Sequence, residues 1–136
     1  NSAEIGSRMV DQIEGMLSGI RWSRADIEEF VGAYLTEPKA HVFFEPPEQT
    51  LSRKAFERAV RARGFVLDAR SLLLFSAAGF HLNGEPLEFA PVLHDAMAKL
   101  AHQRSLPAED LAACPTELLD MLHDWYESGF GAPAAS

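Results

Sequence analysis

Residues 34–48 read Tyr34-Leu35-Thr36-Glu37-Pro38-Lys39-Ala40-His41-Val42-Phe43-Phe44-Glu45-Pro46-Pro47-Glu48. Pro38 has no backbone N–H and disfavours helical geometry in the residue before it, so it stops whatever helix arrives. His41 to Phe44 is short, aromatic and β-prone, and Pro46-Pro47 imposes a stiff extended exit. The stretch is therefore a strap between two bodies, and Val42 to Phe44 is a candidate edge strand.

Upstream, Ile5, Met9, Ile13, Leu17 and Ile20 recur every three or four residues and predict one apolar helix face. Gly15 and Gly19 weaken that helix, which then depends on packing. Ser23 is placed to cap a second helix, with Asp26, Glu28 and Glu29 in its first turns, where the helix dipole favours negative charge. Its apolar stripe is Ile27, Phe30, Val31, Tyr34 and Leu35. Two such helices around Arg21-Trp22 make a hairpin with more apolar face than it can cover itself. The rest of the chain covers it, or a second copy does through a twofold interface. The residues expected at that interface are Ile5, Met9, Ile13, Leu17, Ile20, Phe30 and Tyr34. Asn1-Ser2-Ala3 is not an initiator context, is set outside the fold, and suggests a chain that begins inside a longer protein.

Downstream, Ser52 opens a helix that Gly64 ends, with Phe56, Ala59 and Val60 inward. Arg53, Lys54, Arg58, Arg61 and Arg63 on it face only Glu57. Such a face is either solvated and paired with nearby acids or a phosphate contact, for which Arg53, Lys54, Arg58 and Arg61 are the candidates. Phe65-Val66-Leu67, Leu72 to Phe75 and Phe80 to Leu82 predict strands of a small antiparallel sheet, with Gly79 and Asn83-Gly84 at its turns. After Pro91 a stripe of Val92, Leu93, Ala96, Met97, Leu100 and Ala101 predicts a helix. A short helix over 108–113, a Cys114-Pro115 turn and a last helix capped by Thr116 look like a helix-turn-helix, so 52–128 resembles a winged-helix module. The fold class is α+β and mostly helical: a helical dimerisation segment over 4–37, a linker over 38–50, a winged-helix-like domain over 51–129 and a disordered tail over 130–136.

Composition and chemistry narrow the function. The 136 residues carry a formal charge of −8 and one cysteine, Cys114, which forms no internal disulfide. Neither a signal peptide nor a membrane-length apolar run is present in the sequence, and a cytoplasmic location is expected. The would-be recognition helix holds Glu117, Asp120, Asp124 and Glu127 without lysine or arginine, which argues against DNA reading. Asp120, His123 and Glu127 share a helical face, but the His-x-Asp or His-x-Glu step of a two-histidine, one-carboxylate iron site is missing, so solvated histidines are the better account. There is no Gly-x-Ser-x-Gly elbow or phosphate-cradling glycine loop. No catalytic, cofactor-binding or metal residue is assigned.

The strap, together with Gly64-Phe65-Val66-Leu67-Asp68 and Leu82-Asn83-Gly84-Glu85, resembles the C-terminal part of bacterial cupin-like JmjC oxygenases, hydroxylases of a ribosomal protein that use 2-oxoglutarate and iron(II). The resemblance runs from Ile5 to about Phe130. It implies that 5–35 matches dimerising helices and 52–128 the closing winged helix. The family's iron and 2-oxoglutarate ligands sit on a β-helix with no counterpart in this sequence. The resemblance thus implies a non-catalytic fragment that dimerises and positions a ribosomal-protein substrate, with an arginine as the hydroxylated residue in the bacterial branch and the cofactors in a separate catalytic domain. The alternative is a free-standing winged-helix module that binds protein or, through 52–63, nucleic acid.

Overall fold

The computed structural model describes residues 3–16 and 22–135. The chain opens with α1 (Ser7–Met16) and α2 (Arg24–Thr36). Ser23 caps α2 as its sequence predicts: its Oγ accepts from Asp26 N at 3.1 Å, and Asp26 Oδ2 accepts from Ser23 N, a reciprocal capping box. Arg24 at the start of α2 bonds Asp11 and Glu14 of α1, which closes the hairpin. Val10, Ile27 and Val31 are buried between the two helices and the sheet below, with Leu74 as the sheet's contribution.

The strap leads to α3 (Arg53–Arg63), capped by Ser52 and ended by Gly64 at φ +89°. Next come β1 (Phe65–Leu67), β2 (Leu73–Ser76), β3 (Gly79–Leu82) and β4 (Glu85–Leu87). A single 3-10 turn over Pro91–Leu93 leads into α4 (His94–Gln103), β5 (Ser105–Leu106), α5 (Ala108–Leu111), α6 (Thr116–Glu127) and β6 (Gly131–Pro133). Among the described residues the strands form two antiparallel sheets, ordered β2-β3-β4 and β5-β1-β6. The first is the wing. Asn83 and Gly84, both at positive φ, turn β3 into β4. The main core fills the space between the helices and both sheets: Phe56 and Val60 of α3, Phe65 of β1, Met97 and Leu100 of α4, and Leu118, Leu119, Leu122, Trp125 and Tyr126 of α6. The result is the expected mostly helical α+β chain with a winged-helix-like domain.

Several expectations are corrected by this arrangement. β1 does not join β2: it lies between β5 and β6, with Phe65 opposite both Leu106 and Pro133. The expected tail is thus strand from Gly131 to Pro133, because β1 has an edge whose N–H and C=O groups need partners and a Gly-Ala-Pro segment is small enough to pack there. Val42 to Phe44 forms no strand. Phe44 instead packs edge-on against Phe130 with centroids 4.9 Å apart. Ala3, set aside as outside the fold, is buried. Phe75 N donates to Ala3 O and Ile5 N to Phe75 O, so residues 3–5 run beside β2 before α1 begins. Thr116 is the first residue of α6 rather than its cap, which is Pro115. Val92, placed on the inward stripe, is exposed, since the 3-10 turn shifts the phase before α4.

The strap is pinned at both ends. At one, Arg70 grips Asp68 with Nε and Nη2, at 2.9 and 3.1 Å, and donates through Nη1 to Phe43 O at 2.8 Å, while its guanidinium lies 5.9 Å from the Phe44 ring centre. At the other, Tyr126 Oη accepts from Leu51 N at 3.0 Å. Between them the chain lies directly on Gly129, at φ +82°, where a Cβ would come within 2.6 Å of Glu45 O. The hydrogen bond from Arg70 holds the Asp68 carboxyl below its ordinary range. That sign means the clamp's contribution is complete above the ordinary carboxylate pKa and is lost as pH falls through the lower, folded value. The contact between the Phe44 and Phe130 rings, read from nuclear Overhauser effects, is therefore expected to be constant between about pH 5 and 8 and to weaken below about pH 4. Arg70→Ala should show the weakened contact throughout. An equally strong contact in the variant would dismiss the clamp.

Candidate interaction faces

The residues expected at a dimer interface are sorted by the fold into three groups. Ile5 precedes α1 and is buried beside β2, and Ile13 is half-buried, packed in part against the inner core. Met9 on α1 is 44% exposed, and Met16, seven residues on and on the same face, is 81% exposed. Leu17 and Ile20 lie outside the described residues. On α2, Ile27 and Val31 turn inward while Phe30 and Tyr34 turn outward, 51% and 61% exposed, their rings parallel within 5° and 6.0 Å apart. Trp22 continues this outer face.

Two clefts open on α2 and share Phe30 and Ala33. One, of about 500 Å3, is bounded by Trp22, Asp26 and Glu29. The other, of about 370 Å3, is bounded by Tyr34, Glu37, Pro38 and the Asn83-Gly84-Glu85 corner of the wing. Behind them the inner face of α2 sits on His81 of β3. That imidazole is buried, neither ring nitrogen has a hydrogen bond among the described residues, and Glu29 Oε1 lies 3.5 Å from Nε2. The sequence offered no signal for this contact beyond an ordinary histidine in a hairpin.

The basic helix α3 is largely spent internally. Arg53 bonds Asp120 at 2.8 Å and Glu57 at 2.9 Å; Arg61 bonds Glu57 at 2.7 Å and donates to Leu111 O. Of the four candidate phosphate contacts, Lys54 and Arg58 remain solvent-facing. The acids of α6 are also drawn in: Asp120 holds Arg53, and Glu117 Oε1 accepts from Ala90 N. His123 is oriented by Leu51 O, 3.2 Å from Nε2, and by the Phe56 ring.

His123, Asp124 and Glu127 are the grouping among the described residues that comes close enough to share a metal ion. It supplies one histidine and two carboxylates from a single helix, with both carboxylates exposed. Iron(II) sites of the two-histidine, one-carboxylate kind need a second imidazole and a facial arrangement, so these residues do not fit that metal. The half-buried Cys114 thiol is pushed up by burial, which suppresses the thiolate that nucleophilic chemistry would use.

The ROXA-like winged helix family matches residues 19–131. Among solved structures, the ribosomal oxygenase YcfD from Escherichia coli aligns with TM-score 0.69 at 20% identity, covering 93% of this chain and 34% of that one. A YcfD structure in complex with cobalt and succinic acid aligns with TM-score 0.67 at 21% identity, covering 93% and 35%. One in complex with cobalt and 2-oxoglutarate aligns with TM-score 0.62 at 20% identity over the same shares. This chain spans about a third of the length of those oxygenases. Among curated proteins no sequence matches.

Proposed function

We propose, from the premise that this chain belongs to the ROXA-like winged-helix family, that it is the accessory C-terminal region of a ribosomal-protein hydroxylase dependent on iron(II) and 2-oxoglutarate. The observation that carries the reading is the match of one family over both the second hairpin helix and the winged helix, residues 19–131. The hydroxylation chemistry belongs to a separate catalytic domain, and no residue of these 136 is given a part in it. The substrate is a large-subunit ribosomal protein modified on an arginine, in the cytoplasm. Loss of this chain from its source cells should therefore remove one oxygen atom from an arginine-containing peptide of one ribosomal protein, read by intact-mass and fragment spectra. Unchanged masses across the whole set of large-subunit proteins would refute the substrate assignment.

The region's mechanical part is to pair two copies through the α1 side of the hairpin. Met9 and Met16 are its exposed anchors. Flexible thioethers of this kind suit an interface that forms from two identical helices. Sedimentation of the 136-residue chain is expected to give a dimer, and Met9→Asp with Met16→Asp a monomer with unchanged far-ultraviolet helicity. A wild-type monomer, or a dimer indifferent to both substitutions, would remove pairing from the proposal.

A further inference from the structure

We infer that the outer face of α2 is a docking surface for a basic polypeptide segment, two of whose lysine or arginine side chains enter the two clefts on either side of Phe30. Each cleft joins an exposed aromatic wall to carboxylates: Asp26 and Glu29 in the first, Glu37 and Glu85 in the second. Among the described residues neither is lined by a lysine or an arginine. Glu37 and Glu85 make no ion pair among the described residues. A guanidinium or ammonium group is the ligand that such a setting suits. Its aliphatic stem lies along Phe30 and Tyr34, whose parallel rings offer one continuous face, and its charge is attracted both to the ring quadrupoles and to the acids at the rim.

Charge complementarity also decides against the competing occupant. A second copy laid on this face by a twofold axis would bring the same four carboxylates against their own counterparts, and like charges brought together at an interface cost affinity. A basic segment cancels them. An acidic peptide or a nucleic-acid backbone would be repelled for the same reason. At its edge Glu29 comes within 3.5 Å of His81 Nε2, whereas Phe30 and Tyr34 stand exposed on the side of α2 away from that ring, and neither Met9 nor Met16 lines the clefts. The inference goes beyond the function proposed above and does not depend on it.

The test is fluorescence anisotropy of a labelled alternating arginine–glycine peptide titrated with the 136-residue chain, at low and at physiological salt. Binding is expected, weakening with salt. Glu37→Gln with Glu85→Gln should reduce affinity about tenfold, and Phe30→Ser by a similar factor, since one removes the rim charge and the other the wall shared by both clefts. Asp124→Asn with Glu127→Gln, an equal loss of charge on α6, should change it less than about twofold. Melting of each variant should match the wild type, as the substituted groups are exposed. Absence of wild-type binding, or equal weakening by the α6 pair, would overturn the inference, because binding would then be absent or follow net charge alone. So would a Phe30→Ser variant that halves the particle mass while peptide affinity is unchanged, since the face would then belong to a second copy. None of these outcomes touches the Met9 and Met16 test or the ribosomal-protein masses.

Discussion

Phe56→Ala is expected to remove about 3–5 kcal/mol of stability, the range for truncating a fully buried aromatic ring. Phe56 has no exposed surface. Its ring lies 6.2 Å from Phe65 of β1, 5.2 Å from Tyr126 and 5.1 Å from His123 of α6, so it is the piece on which helix, sheet and helix converge. Two of those neighbours also hold Leu51, Tyr126 at its N–H and His123 at its C=O. The loss should therefore be felt at the end of the strap as well as in the core. Denaturant melts should show a shifted midpoint, and the Leu51 amide should lose protection before the rest of the domain unfolds. Phe56→Leu keeps most of the apolar volume and should cost less than about 2 kcal/mol. A cost below about 1 kcal/mol for the alanine variant would mean that α3 is not seated on α6 through this residue.

The parts of the fold that were legible are those whose residues act locally. The Ser23 capping box, Ser52 before α3, Gly64 after it and the Asn83-Gly84 turn each arise from groups within a few residues of one another. What was not legible came from pairing at long range. Ser105-Leu106 and Gly131-Ala132-Pro133 have little strand character of their own. They are strands because β1 is left with two edges and both segments pass beside it. The same holds for Ala3 to Ile5 at the edge of β2. The burial of the candidate faces was only partly legible in sequence for a related reason. Apolar residues go most of the way round α2, so a stripe drawn through Ile27, Phe30, Val31 and Tyr34 joins two faces that the fold separates by the position of one sheet. On α3 the sequence showed a run of cations against one glutamate but not Asp120, 67 residues from Arg53, which leaves fewer charges available for a partner.

Position 32 should show the reverse of the usual preference for alanine over glycine inside a helix. On propensity alone Gly32→Ala would stabilise α2 by about 1 kcal/mol. Here a Cβ would lie 2.3 Å from His81 Nδ1 and 2.9 Å from its Cγ, well inside contact distance. The imidazole cannot swing aside, because it is buried under the helix on a central strand of the wing. Forcing extra volume into a packed site costs about 1–3 kcal/mol, which exceeds the propensity gain, so the net effect should be destabilising. The strain acts at the joint between hairpin and wing, where Thr36 also ties the two: its Oγ1 donates to Gly32 O and accepts from Gly84 N, both at 2.8 Å. Hydrogen exchange should therefore quicken at the Gly84 amide and along the inner face of α2, with β1, β5 and β6 unaffected. Combining Gly32→Ala with His81→Ala separates steric conflict from any other loss. Removing the ring makes room for the new methyl group, so the double variant should be more stable than the sum of the single effects by about 1 kcal/mol or more. Strict additivity would show that the helix does not rest on this histidine. The cleft walls on the outer side of α2 would then lack the fixed base that their geometry requires, because it is the contact of Gly32 with His81 that sets how far Phe30, Glu29 and Glu37 stand from the Asn83-Gly84-Glu85 corner of the wing.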